Sequence, residues 1–191
     1  MGKRREPQLP KQAPQLPDSS FELSERVRRL VAEGARLLAA RRPGEAVVRL
    51  QVAWRLDPQN VSAAINLGGA YILQGKHRLA IPVLEAASVL EPDNAMVWSN
   101  LAAAYLGALP LANAQRQQRA IEAYERALAL DPRAPHVDYN LGLIYLERDE
   151  PLRAALHFTS ALDTDPNDRD ARHWLNRIHQ SLRTEDASGE G

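Results

Sequence analysis

Cysteine is absent from the 191 residues. That excludes a disulfide framework, a thiolate nucleophile and a cysteine-ligated metal, and it leaves the redox compartment unmarked by thiols. An excess of one charge sign is also missing, since 24 Lys and Arg balance 24 Asp and Glu. A partner selected by bulk charge, such as nonspecific nucleic acid or an anionic membrane, is therefore disfavoured. No apolar run approaches the roughly 18 residues that cross a bilayer. The basic start Lys3-Arg4-Arg5 lacks the apolar stretch of a secretion signal behind it. The expectation is a cytoplasmic protein without a membrane partner.

Aromatic residues are few, three Trp, five Tyr and two Phe, so apolar bulk must come from Ala and Leu. Chemistry-bearing patterns are missing as well. His77, His136, His157, His173 and His179 include no i, i+4 pair of the kind that holds zinc on a helix. No glycine-rich phosphate loop, Ser-His-Asp order or paired-carboxylate arrangement stands out. The reading is non-catalytic, with no cofactor and no metal. The length suits one domain with tails. Residues 1–20 carry Pro7, Pro10, Pro14 and Pro17, with Pro-Gln-Leu-Pro written twice, and are expected to be a disordered, polyproline-rich tail. Residues 184–191 are polar and are expected to fray.

What the sequence does have is a repeat. An acidic residue followed by proline recurs at Asp57-Pro58, Glu91-Pro92, Asp131-Pro132 and Asp165-Pro166, at separations of 34, 40 and 34 residues. Twelve residues ahead of each proline stands Ala46, Ala80, Ala120 or Ala154, and five ahead stands Ala53, Ala87, Ala127 or Ala161. Between them lies a large residue: Leu50, Leu84, Tyr124 or Phe158. Offsets of four, three and seven put all three on one stripe of a helix. Earlier in each unit a small residue, Gly34, Gly68, Ala102 or Gly142, precedes Leu37, Tyr71, Tyr105 or Tyr145 by three. This is a first helix whose small residue lets the second approach closely. Proline disfavours helix in the residue before it and so closes each unit.

These columns, over about residues 24–168, resemble the tetratricopeptide repeat: an opening aromatic (Trp98), then Leu-Gly and Tyr, as in Asn66-Leu67-Gly68-Gly69-Ala70-Tyr71 and Asn140-Leu141-Gly142-Leu143-Ile144-Tyr145. The resemblance implies an all-α fold, a right-handed α-α superhelix of antiparallel helix pairs. Repeats are expected at about 21–60, 61–94, 95–134 and 135–168 within a domain of residues 21–183. The first serves as a cap, because Glu33 stands where the others have Leu67, Leu101 and Leu141. Residues 169–183 read as a capping helix with Ala171, Trp174, Leu175, Ile178 and Leu182 on one stripe. Six extra residues fall between Tyr105 and Ala120, so a longer turn, an N-cap at Asn113 and a second helix longer by about a turn are expected. Pro82 falls inside a helix and should kink it, whereas Pro43 and Pro151 fall at helix starts.

In this family the first helices line a concave face, which the resemblance makes the candidate site for a protein or peptide partner. Asparagine recurs there before the leucine, at Asn66, Asn100 and Asn140, although it is a poor helix former. A carboxamide both donates and accepts, so such a ladder either grips the backbone of an extended peptide or holds neighbouring helices together. Ile65, Ile72, Met96, Tyr139 and Leu143, with Leu146, supply an apolar groove around it. The cationic clamp of chaperone-binding members is missing, its places held by Val31, Ala35, Asn66, Met96 and Asn100. A second reading rests on charge: residues 21–60 hold eight Arg against five acids, and residues 137–191 six Arg against eleven acids. Opposite ends would then attract, making a weak homo-oligomer of an otherwise monomeric chain.

Overall fold

The computed structural model describes residues 19–109 and 112–189, and among them nine α-helices and no strand. They are α1 (Ser19–Ala39), α2 (Pro43–Leu56), α3 (Val61–Leu73), α4 (His77–Leu90), α5 (Ala95–Leu106), α6 (Ala114–Leu130), α7 (Val137–Glu147), α8 (Pro151–Thr164) and α9 (Arg169–Gly189). The most extensive contacts join α1 to α2, α3 to α4, α5 to α6 and α7 to α8, and α9 closes the array against α8. Second helix also meets following first helix, as α2 with α3 and α4 with α5. The first helices α1, α3 and α5 touch one another in turn. Each helix pair therefore buries an apolar face only by stacking on the next, which is the solenoid principle.

Local chemistry explains where each helix starts and stops. The acidic residue before proline donates its backbone N–H to the carbonyl four residues back: Asp57 to Ala53, Glu91 to Ala87, Asp131 to Ala127 and Asp165 to Ala161. The proline cannot continue that ladder. The carboxylates of Asp57, Asp131 and Asp165 then accept from the backbone N–H two residues on, at 3.1, 3.0 and 3.0 Å, which turns the chain. Asn60, Asn94, Asn113 and Asp168 next cap α3, α5, α6 and α9 by accepting orphan N–H groups. Pro43 and Pro151 occupy helix starts, where a missing N–H costs nothing.

The repeat columns form the core. Ala46, Ala80, Ala120 and Ala154 are fully buried, as are Leu50, Leu84 and Phe158, with Tyr124 nearly so. Burying side chains of that size contributes about 1.5–3 kcal/mol each. The glycines face them directly. A Cβ on Gly68 would lie 2.6 Å from Leu84 Cγ, and one on Gly142 2.8 Å from Phe158 Cε1, so neither position has room for a methyl group.

The helix of repeat three, α6, has 17 residues against 14 in α2, α4 and α8, the extra turn expected from the insertion. Residues 110 and 111 of that insertion lie outside the described residues. Pro82 falls inside α4, as its exposed sixth residue, and the helix runs on through it to Leu90. The two terminal helices run further than the repeat frame implies. Helix α1 already begins at Ser19, and α9 reaches Gly189 rather than stopping at residue 183, so residues 184–189, read as a fraying tail, are helical. Extending a helix already nucleated on packed residues such as Val27 or Ile178 costs far less than starting one. The rest of the two expected tails, residues 1–18 and 190–191, lies outside the described residues.

Candidate functional site

The candidate groove is built on α3, α5 and α7. Ile65 and Asn66, about two turns before Ile72, are half-buried on α3; Asn100 and the exposed Met96 lie on α5; Tyr139, Asn140 and Leu143 are half-buried on α7. The apolar members divide their surfaces. Ile65 packs against the Val61, Ala64, Ala87 and Val97 cluster, and Ile72 against the cluster around Leu67, Tyr71 and Leu84, leaving one flank of each open. Met96 and Leu73 keep 59% and 65% of their surfaces exposed, so they carry most of the apolar area free to meet a partner. No charged side chain occupies this stripe on α3 or α5, where Ser62, Gly69, Ser99 and Ala103 complete it.

The asparagines do not lace neighbouring helices together. Asn66 Nδ2 donates to Ser62 O at 2.9 Å, inside its own helix, which leaves its Oδ1 free. The carboxamides of Asn100 and Asn140 make no hydrogen bond to other described residues. Nor do the three form one even ladder, because α3 and α5 pack together whereas α5 and α7 scarcely approach each other. Tyr139 turns inward within its own end of the solenoid. Its ring meets Phe158 edge-on at 5.8 Å, and it packs in the cluster that also holds Trp174 of α9. Burial pushes its hydroxyl pKa up.

Polar residues that sequence reasoning passed over join the repeats. Gln51 Nε2 donates to Tyr71 Oη at 2.6 Å, and Tyr105 Oη donates to Glu85 Oε1 at 2.8 Å. Arg119 stacks on the Tyr105 ring at 3.9 Å and pairs with Glu85 at 3.0 Å. Burial, reinforced by Glu85, pushes the Tyr105 hydroxyl up to about 12. The signal was legible: Gln51 and Glu85 occupy the same place, one residue after Leu50 and Leu84. In repeat four Asp138, buried, instead meets His157 Nδ1 at 2.8 Å, and His157 stacks on Tyr145. His77, at the start of α4, is held below the ordinary histidine range by burial and then by Arg116. Among the described residues no group of three or more His, Asp or Glu is placed to hold a metal ion. No described helix is long and apolar enough to cross a membrane.

Models of the tetratricopeptide repeat match residues 37–105 and 105–169, together most of the chain. The chain belongs to the tetratricopeptide repeat family. A peroxisomal targeting signal receptor of Candida albicans is 31% identical over 114 residues, covering 58% of this chain and 18% of the receptor. The chain thus spans about a fifth of the length of the curated relatives it matches. Among solved structures, the Pseudomonas aeruginosa pilF protein superposes with a TM-score of 0.72 at 22% identity, over 85% of this chain and 72% of that one. The first tetratricopeptide domain of Spaghetti (RPAP3), bound to the HSP90 peptide SRMEEVD, gives 0.58 at 23% identity, over 65% of this chain and 97% of that one. The fold is accordingly the family's right-handed solenoid of antiparallel helix pairs, and its repeats are those of a protein-interaction domain.

Proposed function

We propose that this chain is a non-catalytic adaptor that holds a segment of a partner protein against the concave face formed by α3, α5 and α7. One observation carries the reading: Asn100 and Asn140, half-buried on the inner helices, bond through their carboxamides to no described residue. An asparagine in mid-helix costs helix stability, and these two return none of it through bonds to described residues. Pairing with the N–H and C=O of a bound segment gives them a role, while Ile65, Ile72, Leu143 and above all Met96 select apolar side chains. The uncharged stripe on α3 and α5 favours a segment with few charges over an acidic or basic one. The peroxisomal receptor relative, a targeting signal receptor by name, supports the class of ligand, and the short span shared with it carries over no particular signal.

The attraction of opposite ends is less favoured. Helix α9, which closes the acidic half, presents Arg169, Arg172, Arg177 and Arg183 against Asp170 among its described side chains. Over residues 169–184 the closing helix therefore carries an excess of positive charge, like the first repeat.

Selection of binders from a random peptide display library tests the proposal. Peptides retained by the native chain should bind about tenfold or more weakly to the variant carrying Asn66→Ala, Asn100→Ala and Asn140→Ala, a loss of about 1.4 kcal/mol or more. Equal affinity for both chains would refute the groove.

A further inference from the structure

We infer that the junction between repeats three and four is a hinge, dividing the solenoid into a stiff block of α1–α6 and a second block of α7–α9 that swings against it. Four features of the first two junctions are missing here. The first is the cap. The third residue after the acidic position is Asn60, Asn94 or Asp168 elsewhere, each accepting backbone N–H groups of the helix that follows. Here it is Ala134, a buried apolar residue, and α7 has no side-chain cap.

The second is the start of the helix. Helices α3, α5 and α9 begin three residues after the turn proline, at Val61, Ala95 and Arg169, whereas α7 begins five after Pro132, at Val137. The residue between is His136, held at φ 62°, ψ 0°. Asn60 and Asn94 enter their helices from extended backbone, whereas His136 takes the left-handed region, in which histidine is among the side chains found more often, so the chain enters α7 by a different path.

The third is the clasp from one repeat to the next. Gln51 meets Tyr71 and Glu85 meets Tyr105, but Glu125, in the same place on α6, is exposed and bonds to no described residue. The matching Tyr145 is instead stacked on His157 of its own repeat, 5.3 Å between centroids and 5° between planes. One polar link crosses this junction among the described residues, Arg148 Nη1 to Gln118 Oε1 at 3.3 Å, between exposed and partly exposed side chains. The fourth is helix contact. Helix α6 meets α7 much less extensively than α2 meets α3 or α4 meets α5, and α5 scarcely approaches α7.

What remains across the junction is apolar. Tyr124 and Ala127 of α6 share one cluster with Ala134, Val137 and Leu141. Apolar contact is non-directional, so it keeps the blocks together while permitting rotation that hydrogen-bonded clasps would resist. If the groove reading holds, the hinge separates Asn66 and Asn100 on one block from Asn140 and Leu143 on the other. The groove then consists of two half-sites whose spacing adapts to the partner. The hinge itself stands without that reading, and its test uses no ligand.

The chain's lack of cysteine lets spin labels be placed only where wanted. Two matched pairs occupy the same place on exposed faces of second helices two repeats apart: Arg55→Cys with Ala129→Cys inside the first block, and Val89→Cys with Asp163→Cys across the junction. Pulsed electron–electron resonance on the full chain should give a distance distribution about twice as wide for the second pair as for the first. Restoring the cap with Ala134→Asn and His136→Ser, the residue types at Asn60 and Ser62, should narrow it towards the control. Equal widths for the two pairs would overturn the hinge, whatever the fate of the peptide-binding test. A wide distribution left unchanged by a folded capped variant would overturn the assignment of the motion to this linker. Should that variant fail to fold, the comparison of the two native-junction pairs decides alone.

Discussion

Gly68 and Gly69 are neighbours in the middle of α3, yet a methyl group added to each meets opposite conditions. At Gly69 the new Cβ finds nothing within 4 Å. Gly69→Ala should therefore gain only the helix preference of alanine over glycine, a stabilisation of about 0.8–1 kcal/mol. At Gly68 the Cβ lies 2.6 to 2.7 Å from Cγ and both Cδ atoms of Leu84, which is fully buried and has nowhere to retreat. The same helix gain is then opposed by overpacking, typically about 1–3 kcal/mol. The two variants should differ by about 2 kcal/mol, and at about 2–4 °C per kcal/mol for a chain of this size their thermal midpoints should separate by about 4–8 °C. Solenoids do not always unfold in two states, so the midpoints are compared by circular dichroism at one scan rate rather than converted to absolute stabilities. Gly68→Ala as stable as Gly69→Ala would refute the view that close approach of α3 and α4, locked by Leu84, sets the spacing inside a repeat. Repeat three shows what must change for alanine to fit, since Ala102 stands there opposite a tyrosine, Tyr124, rather than a leucine.

Removing the cap of α5 by Asn94→Ala leaves the N–H groups of Met96 and Val97 without their acceptor and should cost about 1 kcal/mol, read as a lower urea midpoint with unchanged slope. The triple asparagine-to-alanine variant should keep or slightly raise the thermal midpoint, because Asn100 and Asn140 hold nothing; a large fall would mean that the carboxamides are structural. Stability should decline at both pH extremes for separate reasons. His77 is depressed in the folded protein, so its contribution is present above the ordinary histidine pKa and is lost as pH falls through the depressed value. Tyr105 is raised to about 12, so its contribution is present below about 10, the unfolded pKa, and is lost as pH rises towards the folded value. Tyr105→Phe should remove part of the alkaline decline and none of the acid one; melts across pH in both chains check this.

The repeat columns of alanine, glycine and a large residue were legible because each reports a contact inside one helix pair or between adjacent pairs, where sequence distance fixes spatial distance. The cap at Asn113 and the longer α6 were legible for the same reason. The irregular junction left a trace that the periodicity search passed over: Ala134 breaks the column of Asn60, Asn94 and Asp168. The candidate groove was less legible. Tyr139 shares the stripe of Ile65 by repeat position, but its ring is taken up by Phe158, in the cluster that also holds Trp174. Charge summed along the chain suggested an acidic end, whereas over residues 169–184 helix α9 carries four arginines against Asp170, and acids lie just before it, at Asp163 near the end of α8 and at Asp165 and Asp168.

The sequence by itself determined the helix pairs, their order, their caps and the small residues that let them touch, because these depend on neighbours within a few turns of the chain. Only the tertiary structure decided how far the terminal helices extend, which carboxamides stay free and where the stacking loosens. Those outcomes depend on which side chains arrive from another repeat. A clasp such as Glu85 with Tyr105 joins residues 20 apart whose meeting is fixed by the angle between repeats, not by spacing in the chain. Where that angle lacks its fasteners, at Ala134 and Glu125, local rules still specify each helix but no longer fix one arrangement between them.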